Sequence, residues 1–199
     1  MGIVTADLSV SIDGYAAGPN QSFDKPFGEG IDDERLHAWM FEHGDDNRAE
    51  VDAITEAGAY IMGRNMFSPG RGEWDLDWTG WWGADPPYHA PVFVLTHFPR
   101  ESVAMEGGTT FNFVTEGISA ALDAARAAAG DRNVAIAGGA ATINQYLNAR
   151  LIDELRLHIV SFTVGAGERI FEGVGGLTLQ PRRVRGTEHV LHVTYGVTR

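Results

Sequence analysis

The sequence predicts an α/β fold with a mostly parallel central sheet, helices on both faces and an antiparallel hairpin at the C-terminal end. Short apolar segments typical of buried strands alternate along the chain with segments of helical periodicity. Parallel strands need crossover connections, which are usually helices, so this alternation indicates a covered parallel sheet. The segment 177–197 instead shows two-residue alternation on both sides of a turn, which is typical of a hairpin.

The composition excludes several classes of protein and of site. The 199 residues are 44% hydrophobic and 21% charged, as expected for a single folded domain spanning 1–199. The absence of cysteine excludes disulfides, thiolate zinc sites and a cysteine nucleophile. The net charge of −12 argues against nucleic acid and anionic membrane surfaces as partners.

Neither a membrane span nor a secretory signal is predicted. No apolar run approaches the roughly 18 residues that a bilayer-spanning helix needs. The N-terminal segment MGIVTADLSV has no basic stretch followed by a long apolar one. We therefore expect a cytoplasmic protein whose partner is a small molecule.

The first strand is predicted over Val4–Ile12, because apolar residues occupy every second position. It ends at the Asp13-Gly14 turn. A helix follows from Asp32 or Asp33 to His43, with the acidic residue at its N-terminus as the cap.

The middle of the chain alternates between strands and helices. Strands are predicted at 59–62, 91–96, 110–114 and 133–137. Helices are predicted from residue 45 to a terminal glycine at Gly58, from Ser119 as cap to Ala129, and over Thr142–Arg150.

The C-terminal part is predicted to contain three strands. A long strand spans Asp153–Val164, and its apolar parity changes between Ile159 and Val160, which indicates either a bulge or burial on both faces. The hairpin 177–197 follows, with its turn at Arg185-Gly186-Thr187.

A segment from Ser68 to Ala90 interrupts the alternation and holds four of the five tryptophans. These are Trp74, Trp78, Trp81 and Trp82. Aromatic residues in a loop rich in glycine and proline can line a pocket for a flat ring or form a lid. They can equally pin the loop onto the body of the protein or form a dimer contact, and the sequence leaves these alternatives open.

Three segments follow predicted strands at the edge where ligands of α/β sheets bind. Gly138-Gly139-Ala140-Ala141-Thr142 opens a helix and is either a phosphate site or a tight turn. In Gly63-Arg64-Asn65 the arginine either pairs with a 2′-phosphate or is an ordinary surface charge. Thr96-His97 places a hydroxyl and a ring at a third strand end.

No metal site is expected. The sequence has no H-E-x-x-H pattern. His189 and His192 lie three apart on a predicted strand and would therefore point to opposite faces.

Short segments in a fixed order carry a resemblance to a known family. They are Ser11-Ile12-Asp13-Gly14, Ile61-Met62-Gly63-Arg64, Val94-Leu95-Thr96, Gly138-Gly139 before Tyr146-Leu147, and Asp153-Glu154-Leu155 through Gly165-Ala166-Gly167 to Ile170-Phe171. The chain resembles the dihydrofolate-reductase-like family, in the branch related to the C-terminal reductase domain of the bacterial riboflavin biosynthesis protein RibD. The resemblance implies a three-layer α/β/α fold, NADPH as cofactor and a homodimer.

The resemblance also implies roles for individual residues. Near the adenosine 2′-phosphate it places Gly63, Arg64, Asn65, Thr96 and His97. At the pyrophosphate it places Gly138, Gly139, Ala140, Ala141 and Thr142, and near the nicotinamide Asp13 and Gly14. The loop containing Gly165 and Gly167 would close the substrate side, where Trp74 and Trp82 are further expected contacts. The chain departs from the family pattern at Met66, where threonine is usual, and at Ser161, where proline is usual.

These observations together predict hydride transfer from NADPH to a C=N or C=O bond of a small pterin-like or ribosylaminopyrimidine-like substrate. Asp13, or the acid at Asp32 or Asp33, is expected to supply the proton. Two alternatives remain open: a true dihydrofolate reductase, and a dimeric cofactor-binding module without turnover.

Overall fold

A nine-stranded sheet forms the centre of the computed structural model, which describes residues 2–198. Numbered along the chain, its strands are β1 Val4–Ser11, β3 Ala59–Gly63, β4 Pro91–Leu95, β5 Val103–Ala104, β6 Thr110–Val114, β7 Val134–Gly138, β8 Glu154–Val160, β10 Thr178–Gly186 and β11 Leu191–Thr198. Two short strands, β2 Tyr15–Ala17 and β9 Glu168–Arg169, pair with each other beside the main sheet.

The helices connect the parallel strands. They are α1 Asp33–Phe41, α2 Arg48–Thr55, α3 Arg64–Phe67, α4 Ile118–Ala129 and α5 Ala140–Asn148, with a 3₁₀ turn at Glu106–Gly108. Within residues 2–198, no helix combines the length and apolar character that a membrane crossing requires.

The strand order is β10-β11-β8-β1-β7-β3-β4-β6-β5. The six strands from β8 to β6 run parallel, and β10 and β11 add the antiparallel hairpin at one edge. The short β5 adds an antiparallel pairing at the other edge. The predicted mostly parallel sheet with a C-terminal hairpin is therefore confirmed.

The two faces of the sheet are buried by different parts of the chain. On one face Val4, Ala6 and Val10 of β1 join the core under α4 and α5. On the other face Trp39 of α1 packs with Val160 at the β8 end of the sheet. Strands β3, β4 and β6 are covered on that second face by the tryptophan-rich segment 68–90. The result is the predicted three-layer α/β/α arrangement.

Two helix starts differ from the prediction. Helix α4 begins at Ile118, and its cap is Gly117, whose φ of +90° favours glycine, so Ser119 lies inside the first turn. Helix α5 begins at Ala140, two residues before the predicted Thr142, because Gly139 already serves as the cap.

Gly58 has a packing role and does not cap α2, which ends with Glu56 as its cap. A Cβ at Gly58 would collide with the Cβ of Arg132 and the backbone of Ala129, so glycine permits the close approach of α4.

Strand β8 ends at Val160, earlier than predicted, and its pairing with β1 and β11 contains no bulge. The change of parity reflects burial on both faces, since Leu157 and His158 are adjacent and both buried. The hairpin turn lies at 187–190 because Arg185 and Gly186 still pair with β11. His189 therefore lies in the turn and not on a strand. The expectation that His189 and His192 point to opposite faces of one strand does not apply to it.

Helix α1 should depend on Leu36, which is fully buried in its contact with the sheet. Leu36→Ala is expected to lower the free energy of unfolding by about 2–5 kcal/mol, because it leaves a cavity in a packed core. Urea denaturation measures this change. The matched variant Leu76→Ala, at a side chain that is 73% exposed, should stay within about 0.5 kcal/mol of the wild type. Equal losses in the two variants would contradict the packing described here.

Candidate active-site cleft

A cleft of about 1040 Å³ is lined by residues at the carboxyl ends of four parallel strands. Gly63 ends β3, Thr96 follows β4, Thr115 follows β6 and Gly139 follows β7. Ligands of open α/β sheets bind at this edge. The cleft continues onto the sheet face under α1, where Asp7, Ser9 and Ala135 line it.

The cleft brings together most of the predicted cofactor residues. Those lining it are Gly63, Arg64, Asn65, Thr96, His97, Gly139, Ala140, Ala141 and Thr142. Gly138 is the last residue of β7 and Gly14 lies against Arg169 and Ile170, and neither is among the lining residues.

Two glycines shape the strand ends. A Cβ at Gly63 would collide with the Thr142 hydroxyl, so glycine lets β3 approach the first turn of α5 closely. A Cβ at Gly139 would meet nothing within 4 Å, so this residue faces open space. The Gly138–Gly139 peptide is cis. The Thr142 N–H donates to the Gly139 carbonyl at 3.0 Å, whereas the N–H groups of Ala140 and Ala141 precede the first hydrogen bond of the helix and are available to an anion.

Arg64 is held between aromatic rings. Its guanidinium lies 3.9 Å from the ring centre of Trp74 and 5.1 Å from that of Phe98. The Trp74 indole N–H donates to the Phe98 carbonyl at 2.8 Å, which fixes this aromatic platform. The buried Nε of Arg64 has no hydrogen-bond partner within residues 2–198. Burial, together with nearby Arg71, lowers the pKa of Arg64 below its ordinary value.

Arg71 is a second cation of the cleft that the sequence analysis did not identify. Its guanidinium donates a hydrogen bond to the Asn65 side-chain oxygen. Arg71 lies between two glycines in the segment 68–90, outside any periodic pattern. The sequence signal that could have indicated Arg71 is an arginine in the glycine-rich loop that follows the Gly63-Arg64 strand end.

Thr96 and His97 lie at the end of β4. The Thr96 hydroxyl accepts a hydrogen bond from the Phe98 N–H at 3.1 Å and so shapes the turn after the strand. His97 is exposed and lines the cleft.

The tryptophan-rich segment is packed onto the sheet. Trp82 stacks on Phe111 at 5.6 Å, and Trp78 donates to the Phe67 carbonyl at 2.8 Å. Arg100 donates to the carbonyls of Asp75, Leu76 and Trp78. Of the two predicted substrate contacts here, Trp82 lines the cleft together with Trp81. Trp74 instead supports Arg64 and is not among the lining residues.

Asp13 connects the end of β1 to the loop 164–167. Its carboxylate accepts hydrogen bonds from the Ser11 hydroxyl and from the N–H groups of Val164 and Gly165. Burial raises the pKa of Asp13, but these hydrogen bonds outweigh it and leave the pKa below its ordinary value. The carboxylate is therefore ionised at neutral pH and poorly suited to donate a proton. Asp13, Gly165 and Gly167 all lie outside the residues that line the cleft.

The two acids at the start of α1 differ in position. Asp32 is the N-cap, and its carboxylate accepts the Arg35 N–H at 3.0 Å. Asp33 lines the cleft, and its carbonyl oxygen accepts a hydrogen bond from His37 Nδ1 at 3.0 Å. Burial lowers the pKa of His37, which also lines the cleft.

Asp7 and His158 also line the cleft and were missed in the sequence. Their atoms Oδ1 and Nε2 are 3.6 Å apart. His158 Nδ1 is 2.7 Å from His192 Nδ1, and His192 Nε2 is 2.9 Å from the Asn47 side-chain oxygen. The alternation in β1 identifies Asp7 as a residue on the polar face, but it does not show that α1 buries this face.

Comparisons with known proteins identify the family and the fold of the chain. The model of the RibD C-terminal domain family matches residues 3–193. Among solved structures, a protein of Shewanella sp. PV-4 assigned to riboflavin biosynthesis is 22% identical, with a TM-score of 0.63 and 99% of each chain covered. The riboflavin biosynthesis reductase Rib7 of Saccharomyces cerevisiae is 12% identical, with a TM-score of 0.57 and with 100% of this chain and 89% of that chain covered.

A third similar structure is a bifunctional protein of Thermotoga maritima, a diaminohydroxyphosphoribosylaminopyrimidine deaminase/5-amino-6-(5-phosphoribosylamino)uracil reductase. It is 13% identical, with a TM-score of 0.58, and 99% of this chain is covered. The chain spans 57% of the length of that protein. Among curated proteins, none matches the chain.

The loop 164–167 offers a matched pair of glycine variants. Both Gly165 and Gly167 have positive φ, but a Cβ at Gly167 would also collide with the backbone of Ala17 and Gly18, whereas one at Gly165 meets nothing within 4 Å. Gly165→Ala is expected to lower the melting temperature by about 2–4 °C, since strain of this kind costs on the order of 1 kcal/mol. Gly167→Ala should lower it by more than about 6 °C. Thermal unfolding followed by circular dichroism measures both, and a smaller loss for Gly167→Ala would refute the close approach.

Proposed function

The chain belongs to the RibD C-terminal domain family of reductases, and we propose that it uses NADPH to reduce a C=N or C=O bond of a small aminopyrimidine-like or pterin-like substrate. When bound, NADPH supplies a hydride. The observation that carries the proposal is that Arg64, Arg71 and the first residues of α5 line the same cleft.

The residues present fit the phosphates of this cofactor. Within the described residues 2–198, the buried Nε of Arg64 has no hydrogen-bond partner, while stacking on Trp74 holds its guanidinium in place. An arginine in this state is prepared for a charge-assisted bond to the 2′-phosphate. Gly139 and the N–H groups of Ala140 and Ala141 would hold the pyrophosphate. Asn65 orients Arg71, and Thr96 and His97 border the same region.

The rest of the cleft suits a flat ring. Its lining includes aromatic and apolar side chains, among them Phe27, Met40, Trp81 and Trp82. The small side chains of Ala135 and Ala137 on β7 leave space above the sheet. These features, with the pyrimidine reductases among the structural neighbours, support an aminopyrimidine carrying a sugar as the substrate class.

The charges in the cleft favour a substrate without a phosphate. The cations among the lining residues are Arg64 and Arg71, and we assign both to the cofactor. The lining also carries the carboxylates of Asp7, Asp33, Glu34, Glu42 and Glu168. A phosphate would meet like charges there, which opposes binding.

We also propose a cytoplasmic homodimer. Val184 and Leu191 are exposed apolar side chains of the antiparallel hairpin β10–β11, and a second copy of the chain that covered them would remove apolar surface from water. Light scattering of the purified protein measures the mass. A mass equal to that of one chain would overturn the proposed dimer and leave the proposed reaction untouched.

Arg64→Ala should separate the two nicotinamide cofactors. We expect NADPH binding to weaken about 10- to 150-fold, because a charge-assisted hydrogen bond contributes about 1.5–3 kcal/mol. NADH binding should change less than threefold or so, because NADH lacks the 2′-phosphate. Titration of nucleotide fluorescence measures both affinities. Arg48→Ala, at an exposed arginine of α2, is the control and should leave both unchanged, and an equal loss of NADPH and NADH in Arg64→Ala would remove Arg64 from this role.

The charge distribution predicts discrimination between phosphorylated and phosphate-free substrates. Loss of NADPH absorbance would be followed with 5-amino-6-ribosylaminouracil and with its 5′-phosphate. We expect kcat/KM to be at least about tenfold higher for the phosphate-free compound, since like charges in a cleft oppose binding. A preference for the phosphorylated compound would show that the acidic lining does not contact that end of the substrate.

A further inference from the structure

A chain of buried polar side chains runs across the sheet under α1 and reaches the cleft. It consists of Asp7 on β1, His158 on β8, His192 on β11 and Asn47 before α2. The side chains of Asp7 and His158 are only 9% and 3% exposed, and both line the cleft. Two buried atoms at the cleft end, Asp7 Oδ1 and His158 Nε2, have no hydrogen-bond partner in the described part of the chain.

Asn47, at the end of this series of side chains away from the cleft, determines which nitrogen atoms of the histidines carry hydrogen. The Asn47 side-chain nitrogen donates to the carbonyls of Trp39 and His43, both at 2.9 Å. Its side-chain oxygen is therefore the atom that faces His192, and His192 Nε2 must carry a hydrogen to donate to it. Burial, followed by the neighbouring His158 ring, lowers the pKa of His192 to about 4. His192 is thus neutral at pH 7, and its Nδ1 carries no hydrogen.

The tautomer of His192 determines that of His158. Because His192 Nδ1 can only accept, the hydrogen between the two rings belongs to His158 Nδ1. His158 Nε2 then faces Asp7 Oδ1, and both atoms have lone pairs. Two facing lone pairs repel each other unless a proton or a donor group lies between them. Asp7 Oδ1 and His158 Nε2, at the cleft end of this series of side chains, therefore require either a shared proton or a hydrogen-bond donor from a bound ligand.

The charged groups around Asp7 give the cleft end of this series of side chains an excess of negative charge. Arg156 lies 3.5 Å from the other oxygen of Asp7, but its Nε donates to Glu154 at 2.8 Å, so one cation serves two carboxylates. On the far side, the charged groups around His192 are Glu50, Arg183 and Arg185. The ring of Trp39 packs on His158, with the ring centres 4.3 Å apart, and shields that face of the imidazole from water.

We propose that Asp7 and His158 form the proton-donating pair that contacts the substrate in the cleft, with His192 and Asn47 as positioning residues. This inference rests on the reductase function proposed above. The C=N bond gains a hydride at carbon, which oxidises NADPH to NADP⁺, and gains at nitrogen the proton from His158 Nε2. The pair regains a proton from solvent when the product leaves the cleft.

The proton arrangement is tested on the ligand-free protein by ¹⁵N NMR of labelled histidine side chains. We expect His192 to be protonated at Nε2 alone and His158 at Nδ1. Asp7→Asn should shift the signal of His158 Nε2, whereas Asp123→Asn, at an exposed acid of α4, should not. A His158 ring without a hydrogen on Nδ1, or one insensitive to Asp7→Asn, would overturn the proposal.

Contact with the substrate is tested with 5,6-diaminouracil as the probe. Binding should shift the signal of His158 Nε2 and leave that of exposed His189 in place. A probe that binds in the cleft without moving the His158 signal would overturn the proposed contact. This experiment needs no turnover, so it separates failure of the pair from failure of the proposed reaction.

The catalytic role is tested with Asp7→Asn and His158→Gln, using His189→Gln as the matched control. Each variant is first shown to bind NADPH with the wild-type dissociation constant, which establishes that it is folded. With 5-amino-6-ribosylaminouracil, kcat should fall at least about 100-fold in both cleft variants and stay unchanged in the control. Unchanged kcat in folded variants would overturn the proposal, and if the wild type oxidises no NADPH with this compound, the proposed function fails and the NMR result decides on the pair.

Discussion

The parallel pairing of β1 with β7 on one side and β8 on the other is the constraint on which the cleft depends. It places β1 in the middle of the sheet, so that both of its faces are buried. One face can be filled entirely with apolar side chains against α4 and α5. The other carries Asp7 and Ser9, and α1 must cover these polar groups while meeting their hydrogen bonds, as Trp39 does for the Ser9 hydroxyl at 3.0 Å.

The packing of the tryptophan-rich segment on the sheet also fixes the position of the Arg64 guanidinium. Its aromatic rings pack on β3, β4 and β6 and enlarge the core on that face. Arg100 holds the backbone of the segment through three carbonyls. The Trp74 ring then lies under Arg64 and keeps its guanidinium at the edge of the cleft, although no acidic side chain pairs with it among the ion pairs of the described residues. A salt bridge would have neutralised the charge that an anionic ligand needs, whereas an aromatic ring leaves it available.

The strand ends could be predicted from the sequence, because their signal is local. Gly63-Arg64 and Gly138-Gly139 each follow an apolar segment and precede a helix, and both strand ends border the cleft. Asp7 and His158 could not be predicted in this way. Alternation in β1 shows that Asp7 lies on the polar face, but only the tertiary packing of α1 shows that this face is buried. The His158–His192 contact joins residues 34 apart through the antiparallel pairing of β8 with β11, which no local turn signals because β10 lies between these strands in the chain.

The net charge of −12 is compatible with the proposed binding of an anionic cofactor, because charge acts locally in a cleft. Among the described residues that line the cleft, Arg64 and Arg71 are the cations, and they lie near enough that, in addition to burial, Arg71 lowers the pKa of Arg64. A ligand that carries phosphates at one end and a neutral ring at the other would place its phosphates at these two arginines. In the proposed function the ring of such a ligand would lie toward the face of β1, where Asp7 Oδ1 and His158 Nε2 are buried without a hydrogen-bond partner within residues 2–198. Charge would then determine where the cleft holds the phosphates of the cofactor, and the position of β1 would determine which side chains the reacting ring meets.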